Sequence, residues 1–228
     1  MTVGRFRGYA LVGVRCRPVA RGAWCCRFGP IDVDFDDRVL VPRSWTLAQS
    51  EWAAEVAAGA GPGPLLELCA GVGHIGLAAA VLADRDLVQV ELDPVAAGYA
   101  RANAERAGWG DRVEVRIGRL EDAVGEDERF PLVIADPPYL PTGEIGRFPG
   151  DPRLAIDGGD DGLAVVRACL AVAGRHLEGG AALLLQVAGP LQADTVAALA
   201  APGLHAEETR VVDDARAVML LRHRFCRE

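Results

Sequence analysis

The chain has 228 residues, half of them hydrophobic, with a formal net charge of −8. Its apolar runs are short and broken by glycine, proline and charge, which excludes a span of the ~20 apolar residues a membrane helix needs. The acidic balance counts against a phosphate backbone as partner, and arginines interrupting the apolar run of residues 1–22 make a poor secretory signal, so a cytoplasmic location is expected.

Residues 2–43 read as β-rich. Runs at 23–28 and 31–35 flank Gly29-Pro30, a hairpin signal, and Ile31, Val33 and Phe35 alternate onto one face. A further short strand is predicted at Val39-Leu40-Val41, stopped by Pro42. Thr46 is placed to cap a helix over 46–58, and the Gly/Pro cluster at 59–64 breaks it. Strands and helices then alternate: strands at 65–69, 87–91, 113–117, 132–135 and 181–187, helices at 75–82, 94–107, 161–177 and 191–200. Two runs near 206–212 and 217–222, separated by Asp213-Asp214, close the chain as an antiparallel pair. The predicted fold is α/β: a Rossmann-like, doubly wound, seven-stranded, mostly parallel sheet with an antiparallel C-terminal strand pair and a small N-terminal β-hairpin segment. A β-rich segment at 1–45 and a main domain at 46–228 are the expected divisions.

Cys16, Cys25, Cys26, Cys69, Cys169 and Cys226 form no Cys-x-x-Cys pair and have no histidine at ligand spacing. Reduced packing cysteines are expected, not a zinc site or a disulfide framework. Arg5, Arg7, Arg15, Arg17 and Arg21 make the N-terminus locally basic, ordinarily a solvated face.

Chemistry concentrates at three strand ends. After the strand at 65–69 comes Cys69-Ala70-Gly71-Val72-Gly73-His74-Ile75-Gly76, where Gly71 and Gly73 permit a tight turn and close approach of a ligand to the backbone. Glu91 ends the next strand, where a carboxylate accepts both hydroxyls of a ribose. Those features alone fit a dinucleotide site, and an NAD-dependent oxidoreductase is one reading. Glu67, four positions before Gly71, is an acceptor suited to the ammonium group of S-adenosylmethionine, which NAD lacks. The strand at 132–135 runs into Asp136-Pro137-Pro138-Tyr139, a stiff extended corner carrying a carboxylate, free carbonyls and a ring. It suits a planar group with an N–H, which a hydride-transfer enzyme does not require.

With these motifs in view, the chain resembles the class I S-adenosylmethionine-dependent methyltransferases, and within them the HemK-like enzymes that N5-methylate a glutamine of peptide-chain release factors. The resemblance covers roughly residues 21–187: residues 39–46, the loop at 67–76, residues 90–94, Asp136-Pro137-Pro138-Tyr139 with Glu144, and Gly158-Gly159-Asp160-Asp161-Gly162-Leu163. It implies S-adenosyl-L-methionine as cofactor, held by Glu67, Cys69, Ala70, Gly71, Gly73, Glu91, Leu92, Leu120 and Asp136. It implies catalysis by Asp136, Pro137 and Tyr139 without a metal. Asp136 and the Pro137 carbonyl would accept the N–H protons of the acceptor, Tyr139 would pack on its plane, and an ionised Asp136 would stabilise charge developing on nitrogen.

Four departures from the family pattern bear on the acceptor or the cofactor. The family has asparagine where this chain has Asp136, an acceptor-only group that suits an amine or a base amine better than an amide. Residues 42–46 read Pro-Arg-Ser-Trp-Thr in place of Pro-Arg-Pro-Glu-Thr, and Arg119 stands where an acid contacts the cofactor's adenine. A short β-rich segment, and not a counterpart of the family's helical N-terminal domain, is expected ahead of the fold. The expected function is N-methylation of an amide or amine of a protein or small molecule. Adenine-N6 methylation of nucleic acid and a catalytically silent binding module are the alternatives beside the NAD enzyme.

Overall fold

The computed structural model describes residues 2–5, 16–19, 22–200 and 203–224; Arg7, Arg15, Arg21 and Cys226 lie outside them. Five strands run parallel: β5 (Leu65–Leu68), β6 (Leu87–Glu91), β7 (Val113–Ile117), β8 (Phe130–Ala135) and β9 (Leu177–Val187). The C-terminal hairpin of β10 (Leu204–Asp213) and β11 (Arg216–His223) adds antiparallel to β9 through β11. β1 (Thr2–Arg5) pairs parallel with β10 and makes the sheet eight-stranded, in the order β1-β10-β11-β9-β8-β5-β6-β7. The expected seven strands are therefore all present, and β1 is an addition. Among the described residues, no helix is long and apolar enough to cross a membrane.

Helices cover both faces of the sheet, so with period-two alternation the central strands are mostly apolar on both sides, Glu67 and Gln89 being buried exceptions. Leu65, Leu132, Ile134, Ala182 and Leu184 pack on one face, with α1 (Leu47–Ala58), α2 (His74–Ala83) and α3 (Pro94–Arg106). Leu66, Leu68, Val133, Ala135, Leu183 and Leu185 pack on the other, against α5 (Ala164–His176) and α6 (Gly189–Leu199). Pro131 cannot donate to the ladder, and the pairing of β8 with β9 jumps register there, from Phe130–Leu177 to Leu132–Ala182.

The N-terminal segment is a three-stranded antiparallel sheet, β2 (Cys16–Pro18), β3 (Trp24–Phe28) and β4 (Ile31–Phe35), one strand more than the predicted hairpin. Phe28, Ile31, Val33 and Phe35 join the same apolar cluster as α1–α3, so a single core runs across residue 45. Cys16 and Cys26 sit opposite each other on β2 and β3 and are joined by a disulfide, which corrects the expectation of reduced cysteines for this pair. Cys25, Cys69 and Cys169 are free thiols.

Two other expectations are corrected here. Val39-Leu40-Val41 has no strand partner among the described residues and runs as a loop. Thr46 precedes α1 without capping it, because a 3-10 turn at Ser44–Thr46 directs its hydroxyl back to the Arg43 carbonyl at 2.8 Å. The short α4 (Arg153–Ile156) lies in the long loop between β8 and α5.

Candidate active site

The carboxyl ends of β5, β6 and β8 open into a cavity of 720 Å³, the place where an open α/β sheet binds ligands. Cys69, Gly71, Glu91, Leu92, Leu120 and Asp136 are in its wall. Val39–Val41 and Arg43 border one side, and residues 152–155 of the long loop border another. An ion pair joins those sides, Arg43 Nη2 to Asp151 Oδ1 at 2.8 Å, across 108 residues of sequence.

The glycine loop is held from beneath. Cys69 and Gly71 take left-handed φ values of 58° and 55°, and Gly73 takes 79°. A Cβ on Gly71 would meet no atom within 4 Å, so its backbone is open for close approach. A Cβ on Gly73 would lie 2.7 Å from the Gln89 amide, so this glycine makes room for a support. The Gln89 amide donates to the Gly73 carbonyl at 2.8 Å and to Glu67 at 2.6 Å. Ala70 is buried, its N–H bonded to the Val90 carbonyl at 3.1 Å.

Glu67 is placed differently from its expected role. It is 2% exposed, accepts from the Gly76 N–H at 2.8 Å and from Gln89, and is not in the cavity wall. Alternation along β5 turns it toward α2, opposite to Leu66 and Leu68. Burial pushes its carboxyl up to about 8, with Gln89 and Gly76 opposing the shift.

Glu91 accepts from the Gly71 N–H at 2.6 Å and from the Asp93 N–H at 2.7 Å. Burial raises its pKa against these bonds. Since Gly71 N–H is taken by a carboxylate, it is not free for a pyrophosphate, which a dinucleotide loop would need.

At the end of β8, burial pushes the Asp136 carboxyl up to about 7, and no cation among the described residues offsets it. Pro137 is buried and Tyr139 half-buried; of this corner, Asp136 and Pro138 form the cavity wall. The Tyr139 hydroxyl meets the Gln186 amide at 3.4 Å and its carbonyl accepts from Gln192 at 3.1 Å. Burial raises the phenol, while Arg43 and Arg216 pull it back, and Arg216 also stacks on Trp45 at 5.0 Å.

The corner rests on the glycine-rich string downstream. Leu140 N–H donates to the Ile156 carbonyl at 3.1 Å, and the Leu140 carbonyl accepts from Gly158 at 2.8 Å. Asp157 accepts from the Thr142 hydroxyl and the Gly159 N–H, and Asp161 from the Leu163 N–H. These aspartates therefore act in turns, with no metal invoked.

Sequence reasoning missed Thr46, His74 and Arg43 as cavity residues. His74 opens α2, lies 4.8 Å from the Phe28 ring, and its Nε2 is 3.4 Å from the Thr46 hydroxyl. Burial lowers its pKa to about 3, so it is neutral across the physiological range. Asn103 shows how the small sheet secures the loop. Its amide accepts from Asp34 N–H at 2.8 Å and donates to the carbonyls of Asp34 and Val72. Asn103→Ala leaves three backbone groups unpaired, the buried Val72 carbonyl and the part-buried N–H and carbonyl of Asp34, and is expected to lower unfolding stability by about 2 kcal/mol, read from the denaturant midpoint at unchanged m-value.

No protein-family model matches the chain. It is 35% identical over 175 residues to a release factor glutamine methyltransferase of Geobacter sulfurreducens, covering 74% of this chain and 60% of that protein. It is 27% identical over 176 residues to a ribosomal protein uL3 glutamine methyltransferase of Francisella tularensis, covering 74% and 55%. The chain thus spans less than two thirds of the length of these two relatives. A release factor glutamine methyltransferase of Mycolicibacterium smegmatis is 32% identical over 204 residues, 85% of this chain and 70% of that protein. Among solved structures, a methyltransferase from Pyrococcus furiosus aligns with a TM-score of 0.66 at 17% identity, over 86% of this chain and 90% of that one. The hMettl16 catalytic domain aligns with a TM-score of 0.68 at 13% identity, over 86% and 75%. These structures show the same fold. On the sequence relationships, the chain belongs to the release factor glutamine methyltransferase family.

Proposed function

We propose that the protein is an S-adenosylmethionine-dependent N-methyltransferase acting on an amide or amine nitrogen, with a protein glutamine of the translation machinery as the favoured acceptor. The relatives named above act on release factors and ribosomal protein uL3; a cytoplasmic location belongs to the same reading. The observation that carries it is Asp136: a carboxyl that no cation among the described residues offsets, in the same cavity wall as Glu91 and an open Gly71. Such a wall fits a cationic sulfonium and disfavours the pyrophosphate of a dinucleotide.

The residues present fit the cofactor. Glu91 would hold the ribose hydroxyls, Gly71 and Cys69 would border the methionine part, and Leu92 and Leu120 would flank the adenine. Glu67, Ala70 and Gly73 act one step behind, fixing the loop. Bound there, S-adenosylmethionine supplies an electrophilic methyl group that already carries its leaving group, so the chain's share of catalysis is alignment and proton handling. Asp136 and the Pro137 carbonyl accept from the acceptor N–H groups and turn the nitrogen lone pair toward the cavity. Tyr139, anchored by Gln186 and Gln192, shapes the acceptor side of the corner together with Trp45 and Arg216.

Parallel calorimetric titrations with S-adenosylmethionine, S-adenosylhomocysteine and NAD test the class. Binding of the first two alone is expected, and binding of NAD alone would reject the reading. Glu91→Ala loses charge-assisted bonds to the sugar and is expected to weaken S-adenosylhomocysteine about 10–100-fold.

A further inference from the structure

α1 carries a glutamine where its inward stripe calls for an apolar residue. Gln49 lies four and eight residues before Ala53 and Ala57, which pack in the core, and it is itself fully buried. Its side chain reaches the sheet. The Nε2 amide donates to the carbonyl of Ala135, the last residue of β8, at 3.0 Å, and to the carbonyl of Leu184 on β9 at 3.2 Å. Both N–H groups are thereby used, and Oε1 has no partner among the described residues. A buried acceptor left unpaired weakens the fold, so core filling does not account for a carboxamide at this place. We propose that Gln49 is a positioning residue for methyl transfer, holding the peptide that aims Asp136 into the cavity. The inference rests on the methyl-transfer reading and adds to it a residue that is not in the cavity wall.

The place of this bond gives it leverage. The Ala135 carbonyl belongs to the peptide unit that ends at Asp136, and that unit is planar. Fixing its oxygen therefore limits how far the Asp136 backbone can turn relative to β8. Beyond Asp136, Pro137 and Pro138 have no N–H to offer a neighbouring strand, so sheet pairing loses its grip on the chain there. The far end of the corner is tied to the same part of β9. Gln186, two residues after Leu184 and so on the same face, donates to the Tyr139 hydroxyl at 3.4 Å. Gln49 and Gln186 thus brace the entry and the exit of the corner against residues 184–186. The neighbouring donor on α1 turns elsewhere: Ser50 Oγ donates to the Ile75 carbonyl of α2 at 2.8 Å, on the cofactor side. Of these two buried donors of α1, Gln49 is the one that serves the acceptor corner.

The test uses the full chain and reads the peptide itself. Labelling alanine carbonyls with 13C and aspartate amides with 15N selects Ala-Asp peptides, of which the sequence has three, at 83–84, 135–136 and 193–194. The first and last are identified by loss of their signals in Asp84→Asn and Asp194→Asn, both at exposed positions. In Gln49→Met, which keeps the length and removes both donors, the 135–136 signal is expected to shift while the other two stay. Ser50→Ala, which loses an equally buried bond from the same helix, should leave all three in place. In single-turnover transfer from S-adenosylmethionine to a purified release factor, Gln49→Met is expected to be about 10–100-fold slower, the scale set by small displacements of positioned groups. S-adenosylhomocysteine affinity and the release-factor concentration for half-maximal rate should stay within about threefold, since Gln49 is not in the cavity wall. Gln49→Asn, a methylene shorter and unable to span both carbonyls, should lie between parent and Gln49→Met, and it carries the test if Gln49→Met does not fold. A purely structural Gln49 predicts a lower melting temperature with the parent rate in the folded protein and an unmoved 135–136 signal; either of the last two results overturns the proposal. Loss of S-adenosylhomocysteine affinity in step with the rate overturns it as well. If the parent binds S-adenosylmethionine but leaves the release factor unmethylated, that acceptor is wrong and the 135–136 signal decides on Gln49. If the parent binds no S-adenosylmethionine, the methyl-transfer reading fails and the catalytic role of Gln49 with it.

Discussion

Asp136→Ala is expected to slow methyl transfer about 10²–10³-fold, the usual effect of deleting one preorganised group that faces the reacting atoms. S-adenosylhomocysteine affinity should stay within about threefold, because Glu91, Gly71 and the Gln89 support of the loop are untouched. Single-turnover transfer reads the first quantity and calorimetry the second. A rate equal to the parent's with a confirmed acceptor would sink the assigned role. Loss of fold is not the expected cause, and pH shows why. The folded-state pKa of Asp136 lies near 7, above its ordinary value of 3.8, so the folded chain holds a proton that the unfolded chain has released. Stability contributed by this group therefore falls as pH rises from about 4 to 7, and the cost is fully present above 7. Asp136→Ala removes that cost, so its melting temperature relative to the parent should be higher at pH 8 than at pH 4.

Most of the sheet was legible in the sequence because its strands are apolar on both faces and punctuated by glycine or proline, and three ends carry acids or a rigid corner. The strand positions of Glu91 and Asp136 come directly from that pattern. Glu67 shows a signal present in the sequence and misread: Leu66 and Leu68 share one face, so the residue between them must point to the other. Local pattern failed where tertiary contacts decide. Val39-Leu40-Val41 has two β-branched residues, yet no partner strand among the described residues reaches it, and it borders the cavity instead. His74 and Thr46 are separated by 28 residues and meet only because α1 and α2 pack together. The disulfide was hidden for the same reason: β2 has three residues, too few for a pattern, and pairing alone sets Cys16 opposite Cys26.

The glycine-rich string after the corner was legible as a turn, but the residues it supports were not. Gly162 has a φ of +73°, and a Cβ there would lie 2.5 Å from the Tyr139 carbonyl oxygen and 3.1 Å from the Pro141 nitrogen. Both neighbours are backbone of the acceptor corner, and the left-handed conformation is itself unfavourable for alanine. Gly162→Ala must therefore move the corner, the string, or both. A shift of about 1 Å at positioned groups costs on the order of 10²-fold in rate, and a comparable loss of transfer is expected here. The Gln192 bond to the Tyr139 carbonyl would be strained by the same displacement. The cofactor loop lies at the ends of β5 and β6 and is supported by Gln89 and Asn103, so S-adenosylhomocysteine binding should remain within about threefold. Gly143→Ala is the control, since a Cβ there meets no atom within 4 Å and the residue is not in the cavity wall. If Gly162→Ala transfers methyl groups at the parent rate, the string is a passive turn and the corner is held by Gln186 and Gln192 without it. If cofactor binding is lost together with transfer, the two strand ends are mechanically coupled, and the separation of cofactor loop from acceptor corner fails.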